Sequence, residues 1–349
     1  GAVSRSRDIG TDDERVRVRP SKRGSRPRTK RRPQHDDATV ARVLGVDRGR
    51  YTLLAADGTR LLAMKARELG RGARNAVVVG DRVGVVGDTS GRPGTLARIV
   101  RVEERTTALR RSAEDSEAAG VERVIVANAD RMLIVTALAD PPPRPRMVDR
   151  CLVAAYDAGM EPVLVLTKAD LTDPGPFLEQ YAALEVTALI TSVVDGEVRG
   201  LEEVREVVTG HESVLVGHSG VGKSTLINAL VPGAGRATGE VNEVTGRGRH
   251  TSSNAVALEL PGGGWVIDTP GVRSFGLAHV GADDLLRAFP DLAAVAAECP
   301  RGCDHEEGSP DCELDAWVAR GDAGPAGAAR LESFRRLLAS RTTLEALES

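Results

Sequence analysis

Two short motifs stand in an order that restricts the fold sharply. Thr167-Lys168-Ala169-Asp170 precedes Gly217-His218-Ser219-Gly220-Val221-Gly222-Lys223-Ser224-Thr225 along the chain. The second has the spacing of a phosphate-binding loop. Its glycines let backbone amides approach a phosphate, and it opens a helix whose N-terminal dipole favours negative charge. The first ends a buried-strand run over 162–167 and has the make-up of a guanine-reading loop. The Asp170 carboxylate can accept from the N1–H and exocyclic amine of guanine, a donor pair adenine lacks. The Lys168 stem can lie over the base plane. In ordinary GTPases the guanine-reading loop follows the phosphate loop, so the reversed order predicts a circularly permuted GTPase.

The phosphate loop follows a strand over 213–216, and its helix is expected to run through Leu230. Lys223 should bridge the β- and γ-phosphates and Ser224 should ligate Mg²⁺. Asp268-Thr269-Pro270-Gly271 ends a strand over 265–267. There Asp268 can hold Mg²⁺ through water, and the Gly271 amide can sense the γ-phosphate. Thr191-Ser192, at the end of a strand over 186–192, is the expected supporting base contact, although the usual Ser-Ala pair is not intact. Between these motifs lies a polar, Gly-rich stretch over 239–253, the natural switch I, with Thr251 ahead of Thr245 as its Mg²⁺-binding threonine. Val272 stands where many GTPases carry a water-orienting glutamine. His250 is therefore the candidate for positioning water; its alternative role is a loop histidine contacting RNA or solvent.

Cys299, Cys303, His305 and Cys312 fall within fourteen residues. Three thiolates and an imidazole make a closed tetrahedral zinc set that leaves no position for a reacting water. Cys151 sits on the apolar face of a helix marked by Met147, Val148, Leu152 and Ala155 and reads as a packed core residue.

Charge and punctuation divide the rest. The net charge of −3 hides a basic front: residues 1–35 carry 12 Lys/Arg against 4 Asp/Glu, and residues 37–111 carry 15 against 8. A basic front on an acidic body points to a polyanionic partner, nucleic acid first. Residues 1–36 are expected to form a disordered basic tail. Short β-type runs over 51–56, 59–63, 77–79, 82–86 and 96–102, with a hairpin signal at Asp57-Gly58, predict a small barrel over 37–111. An oligonucleotide-binding (OB) fold is favoured over an SH3-like barrel. Residues 112–280 alternate strands and helices, which implies a parallel sheet covered on both faces. Residues 281–349 are helical around the cysteines, and Leu331, Phe334, Leu337 and Leu338 form one face of a last helix with Arg330, Arg335 and Arg336 off it. The N-terminus has no hydrophobic signal, and no apolar run approaches the roughly 18 residues of a membrane span, so a cytoplasmic protein without membrane contact is expected.

The set Thr-Lys-Ala-Asp, Gly-His-Ser-Gly-Val-Gly-Lys-Ser-Thr, Gly246-Arg247-Gly248-Arg249-His250-Thr251, Asp-Thr-Pro-Gly and Cys-x₃-Cys-x-His-x₆-Cys resembles the RsgA (YjeQ) family of small-ribosomal-subunit-dependent GTPases over residues 37–345. The resemblance implies an OB barrel, a permuted GTPase domain and a C-terminal zinc domain. It further implies binding to the small ribosomal subunit and its rRNA late in maturation, subunit-stimulated hydrolysis of GTP to GDP, and a hydrolytic role for the switch-I residue at His250. The zinc spacing departs from the commoner family pattern by one residue on either side of Cys303-x-His305, and the tail lies outside the family core. Two other readings are an RNA-binding module whose nucleotide only gates affinity, and a P-loop ATPase. A monomer is expected.

Overall fold

The computed structural model describes residues 35–70, 75–111, 122–235, 255–270, 275–277 and 279–341. The basic segment 1–36, apart from His35 and Asp36, therefore lies outside the described residues. Among the described residues no helix is long and apolar enough to cross a membrane.

Five strands close into a barrel: β1 (Thr39–Asp47), β2 (Arg50–Ala55), β3 (Arg60–Lys65), β4 (Arg82–Gly87) and β5 (Ala97–Val102). Their order is β1-β2-β3-β5-β4, with β4 returning to pair β1. The β3–β5 pair is parallel and the others antiparallel. That order is the OB type; an SH3-like meander would pair β3 with β4. Val43, Leu53, Ala63, Val83 and Ile99 are fully buried and fill the barrel. The β2–β3 turn forms as its sequence dictates, with Gly58 at φ 86° and the Thr59 N–H donating to Asp57 Oδ1 at 2.9 Å.

Residues 77–79, expected as a barrel strand, make only one parallel bridge, Val79 to Val126. The fifth strand is β1 instead. A register shift between Val43 and Gly45 bends β1, so Val43 faces the barrel core while Leu44 joins the core of the next layer. Past this bulge Gly45 pairs Val256, which fuses the barrel to the second sheet. The join is tight at Gly80 (φ 90°), where a β-carbon would stand 2.0 Å from the Ala127 carbonyl oxygen. Buried Asp81 beside it accepts from Arg105 Nε at 2.7 Å and from the Val78 N–H at 2.8 Å. Glu212 Oε1 takes Arg42 at 2.7 Å and Arg82 at 2.9 Å, and the Arg42 guanidinium lies over Trp265. Barrel cations thus hold the base of the strand that carries the phosphate loop.

The second sheet runs β10 (Thr187–Ile190), β9 (Glu161–Thr167), β8 (Arg131–Ala137), β13 (Glu212–Gly217), β15 (Trp265–Asp268) and β14 (Val256–Glu259). The first five are parallel and β14 is antiparallel. In β8, Met132 and Ile134 pack into one core while Leu133 and Val135 pack into the other, the period-2 signature of a strand covered on both faces. Helices α1 (Pro145–Ala158), α2 (Gly175–Tyr181), α3 (Leu201–Val208) and α4 (Lys223–Leu230) connect these strands. Two ribbons stand aside: β6 (Ala108–Arg111) with β7 (Arg123–Ala127), and β11 (Ser192–Val194) with β12 (Glu197–Arg199). The strand expected over 186–192 ends at Ile190, and Ser192 opens the β11–β12 hairpin.

Helices α5 (Ala282–Leu286), α6 (Pro290–Ala296), α7 (Glu313–Ala319) and α8 (Gly324–Ser340) complete the chain. Leu331, Phe334, Leu337 and Leu338 of α8 share one core with Phe289 and with Val148, Cys151 and Leu152 of α1. The arginines off that face fold back onto neighbouring elements. Arg330 pairs Asp291 at 2.8 Å, and Arg336 reaches buried Asp149 at 3.2 Å and stacks on Tyr181.

Candidate functional site

The carboxyl ends of β8, β9, β13 and β15 lie side by side, where open α/β sheets bind ligands. At the end of β13, a β-carbon on Gly217 would meet the Val135 carbonyl oxygen at 2.7 Å, so the close approach of β8 requires glycine. Gly220 and Gly222 take φ 80° and 92°, conformations that L side chains rarely adopt, and they turn the chain into α4. Ser224 and Thr225 are exposed on the first turn of α4, beside the orphan amides that make a helix N-terminus an anion site.

Lys223 begins α4 and projects across to β15. Its ammonium lies 2.9 Å from Asp268 Oδ1 and donates to the Thr269 carbonyl at 3.2 Å. Thr269 is itself buried and donates from Oγ1 to the Leu215 carbonyl at 2.7 Å. The lysine and carboxylate named from two distant motifs therefore meet in one place.

The guanine-reading candidate adjoins the same loop. Thr167, the last residue of β9, donates from Oγ1 to the Val221 carbonyl within the phosphate loop. Lys168 turns at φ 59°, and its ammonium bonds the Asp140 carbonyl. The Ala169 N–H donates to the Thr191 carbonyl at 3.2 Å, and buried Thr191 donates its own N–H to Leu166 at 2.7 Å. Thr191 thus braces the turn through its backbone, and Asp170 is left exposed at the mouth. Two contributors escaped the sequence reading. They are Asp140, whose carbonyl holds Lys168, and Arg144, whose guanidinium lies 3.0 Å from His218 Nε2. No residue-type pattern marks either; only adjacency to the end of β8 could have found them. His250, Thr251, Thr245, Gly271 and Val272 lie outside the described residues.

The candidate metal centre forms where α6 ends and α7 begins. The ligand atoms of Cys299, Cys303, His305 and Cys312 all lie within 4.8 Å of one another. Buried His305 has an Nδ1 atom with no hydrogen-bond partner among the described residues, and Cys312 is buried at the N-cap of α7. Burial, aided by the neighbouring Cys312, pushes the Cys303 thiol up to about 11. Such a set fits a soft divalent cation that displaces the thiol protons. Second contacts suit thiolate charge: the Glu313 N–H points at Cys299 Sγ at 3.2 Å and Arg335 Nη2 at Cys312 Sγ at 3.9 Å. Arg335 also donates to the His305 carbonyl at 3.0 Å and pairs Asp315 at 2.7 Å, tying α8 to the centre.

Comparison with known proteins agrees with this arrangement. The family model described as RsgA GTPase matches residues 102–278. A Chlorobaculum tepidum protein named small ribosomal subunit biogenesis GTPase RsgA is 40% identical over 272 residues, covering 76% of this chain and 86% of its own. A protein of the same name from Pseudomonas putida is 38% identical over 272 residues, covering 76% and 75%. Among solved structures, YjeQ from Thermotoga maritima aligns with a TM-score of 0.62 at 25% identity, over 87% of this chain and 98% of that one. YloQ, described as a circularly permuted GTPase, shares the fold with a TM-score of 0.60 at 21% identity, over 89% and 98%. The family match spans the Thr167–Asp170 turn, the Gly217–Thr225 loop and Asp268 in their permuted order, and the chain belongs to the RsgA GTPase family.

Proposed function

We propose that this protein binds the small ribosomal subunit through its basic barrel and tail, late in subunit maturation, and there hydrolyses GTP to GDP and phosphate. The observation that carries the reading is the convergence of Lys223, Asp268 and the Thr167–Asp170 turn on one sheet edge whose base is bolted to the barrel through Glu212. Residues 37–111 act as the RNA-binding barrel, 112–280 as the GTPase domain and 281–349 as the zinc-binding part, in a cytoplasmic monomer.

The loop amides and Lys223 stabilise charge that develops on the phosphates, with no covalent step for the protein. Gly217–Thr225 cradles the phosphates, and Asp170, with Lys168, Ala169 and Thr191-Ser192, reads the base. Ser224, Thr251 and Asp268 would hold Mg²⁺, which would supply neutralisation of phosphate charge. Lys223 must leave its carboxylate partner for the phosphates when nucleotide enters. His250 positions the attacking water and Gly271 senses the γ-phosphate. Cys299, Cys303, His305 and Cys312 hold one structural zinc.

His250→Ala should lower subunit-stimulated kcat by roughly 10- to 100-fold, with GTP affinity within about twofold of the parent. Single-turnover kinetics beside nucleotide titration measures both; lost GTP binding would assign His250 a structural role. Co-sedimentation with purified small subunits tests the partner. Retention is expected with a non-hydrolysable GTP analogue and release with GDP. Equal recovery in both states would refute nucleotide-controlled binding.

A further inference from the structure

The chain leaving the Asp268–Gly271 loop is pinned within a few residues. Phe275, Leu277 and Val280 are buried. Arg150 of α1 donates to the Phe275 carbonyl at 3.2 Å, and Arg341 donates to the Val280 carbonyl at 2.5 Å. Between them His279 spans two carboxylates on two different elements. Its Nδ1 lies 2.6 Å from Glu122 Oε1, just ahead of β7, and its Nε2 lies 2.7 Å from Asp157 Oδ2 near the end of α1. Gly276 presses on the same glutamate: a β-carbon there would stand 3.0 Å from Glu122 Cγ.

An ionised carboxylate only accepts hydrogen bonds, so both ring nitrogens must donate, and only the imidazolium can do that. Burial alone would lower the pKa of His279; the hydrogen bonds to Asp157 and Glu122 outweigh it and raise it above the ordinary histidine value. The charged groups around it are these two carboxylates and the Arg150 and Arg341 guanidiniums on the adjoining backbone.

We propose that His279 is a positioning residue of the GTPase cycle, a proton-dependent tether that fixes the exit of the Asp268–Gly271 loop to β7 and α1. The inference rests on the reading that this loop answers to GTP. With the exit held, a rearrangement at Asp268 stops at Phe275 and reaches α5–α8 only through the body of the domain. Deprotonation leaves one N–H for two acceptors and frees one side of the tether. The stabilisation is complete below the unfolded histidine value near about pH 6.5, and it is lost as pH rises through the raised folded value.

Two measurements on the full chain test this. Hydrogen exchange of the 275–280 amides, corrected for intrinsic rates, should show protection that falls as pH rises above about 6.5 in the parent. In His279→Gln, whose amide cannot donate to both carboxylates, that protection should be low at every pH. Stimulated kcat should fall over the same range in the parent. In His279→Gln it should lie roughly tenfold lower at pH 6.5, with KM for GTP unchanged and the descending limb gone. Glu122→Gln keeps an acceptor but removes a charge, so its loss of protection should move to lower pH; this variant also serves if His279→Gln does not fold. Unchanged protection in His279→Gln, or a kcat limb that survives in it, overturns the proposal. Absence of GTP hydrolysis in the parent would instead defeat the enzymatic reading, and the exchange data would still decide the tether.

Discussion

Removing the metal from Cys299, Cys303, His305 and Cys312, by a chelator or by Cys312→Ser, is expected to unfold the loop between α6 and α7 and to lower the melting temperature sharply. The ligands come from a loop with little core of its own, in which Cys312 and His305 are buried and Cys299 and Cys303 are half-buried. Zinc binding to such sets is worth about 10–16 kcal/mol in isolated peptides. A net loss of only about 4 kcal/mol here would lower the melting temperature by roughly 5 °C at this size. The damage should spread, because Arg335 ties the centre to α8, and α8 packs on α1 and grips α2 through the Gln180 carbonyl. Metal analysis with thermal melts before chelation, after chelation and after zinc is restored checks this. An unchanged melt after verified metal loss would show that the cluster does not hold the fold.

The second large effect concerns the base. Asp170→Asn should weaken GTP binding by about 100-fold or more, since the acceptor loses its charge and one oxygen is replaced by an amide donor that faces the exocyclic amine. It should also raise the affinity for xanthosine triphosphate, whose C2 carbonyl accepts from the new amide. The backbone that aims this side chain is fixed independently of it, by the Ala169 N–H on Thr191 and the Lys168 ammonium on Asp140. The substitution should therefore change recognition and leave the fold alone. Competition between GTP and xanthosine triphosphate for a fluorescent guanine nucleotide reads the shift, and unchanged GTP affinity would remove Asp170 from the base contact.

Much of the nucleotide site was legible because phosphate binding makes local demands. Gly217, Gly220 and Gly222 are required by a close approach or a positive φ, and those demands leave a spacing in the chain. The cysteine cluster is legible for the same reason. Strand β1 was hidden because it serves two cores. Val43 and Leu44 are adjacent and both buried, which breaks the alternation that marks a strand. Residues 77–79 show the reverse case, an apolar run buried as a wedge beside Gly80 and Asp81 with one bridge and no ladder. The partners of the α8 arginines were not legible because they are remote in sequence: Asp149 for Arg336, and Asp291 with the Ala183 carbonyl for Arg330. No local pattern encodes such pairs. His279 was silent for the same reason.

The motif reversal itself takes on a narrower meaning in the folded chain. The chain after the Asp268 loop is anchored at Phe275, His279 and Val280, and α8 belongs to the core of α1. The helices around the Cys₃His cluster are thus an extension of the Thr167–Asp170 side of the domain, beside α1 and α2.

Steady-state GTP hydrolysis with and without purified small ribosomal subunits tests the central claim most directly. Slow turnover alone, rising about tenfold or more with saturating subunits and abolished in Lys223→Ala, is the predicted result. Turnover that stays negligible at saturating subunits, in a protein that still binds GTP and the subunit, would contradict it and leave an RNA-binding module gated by nucleotide.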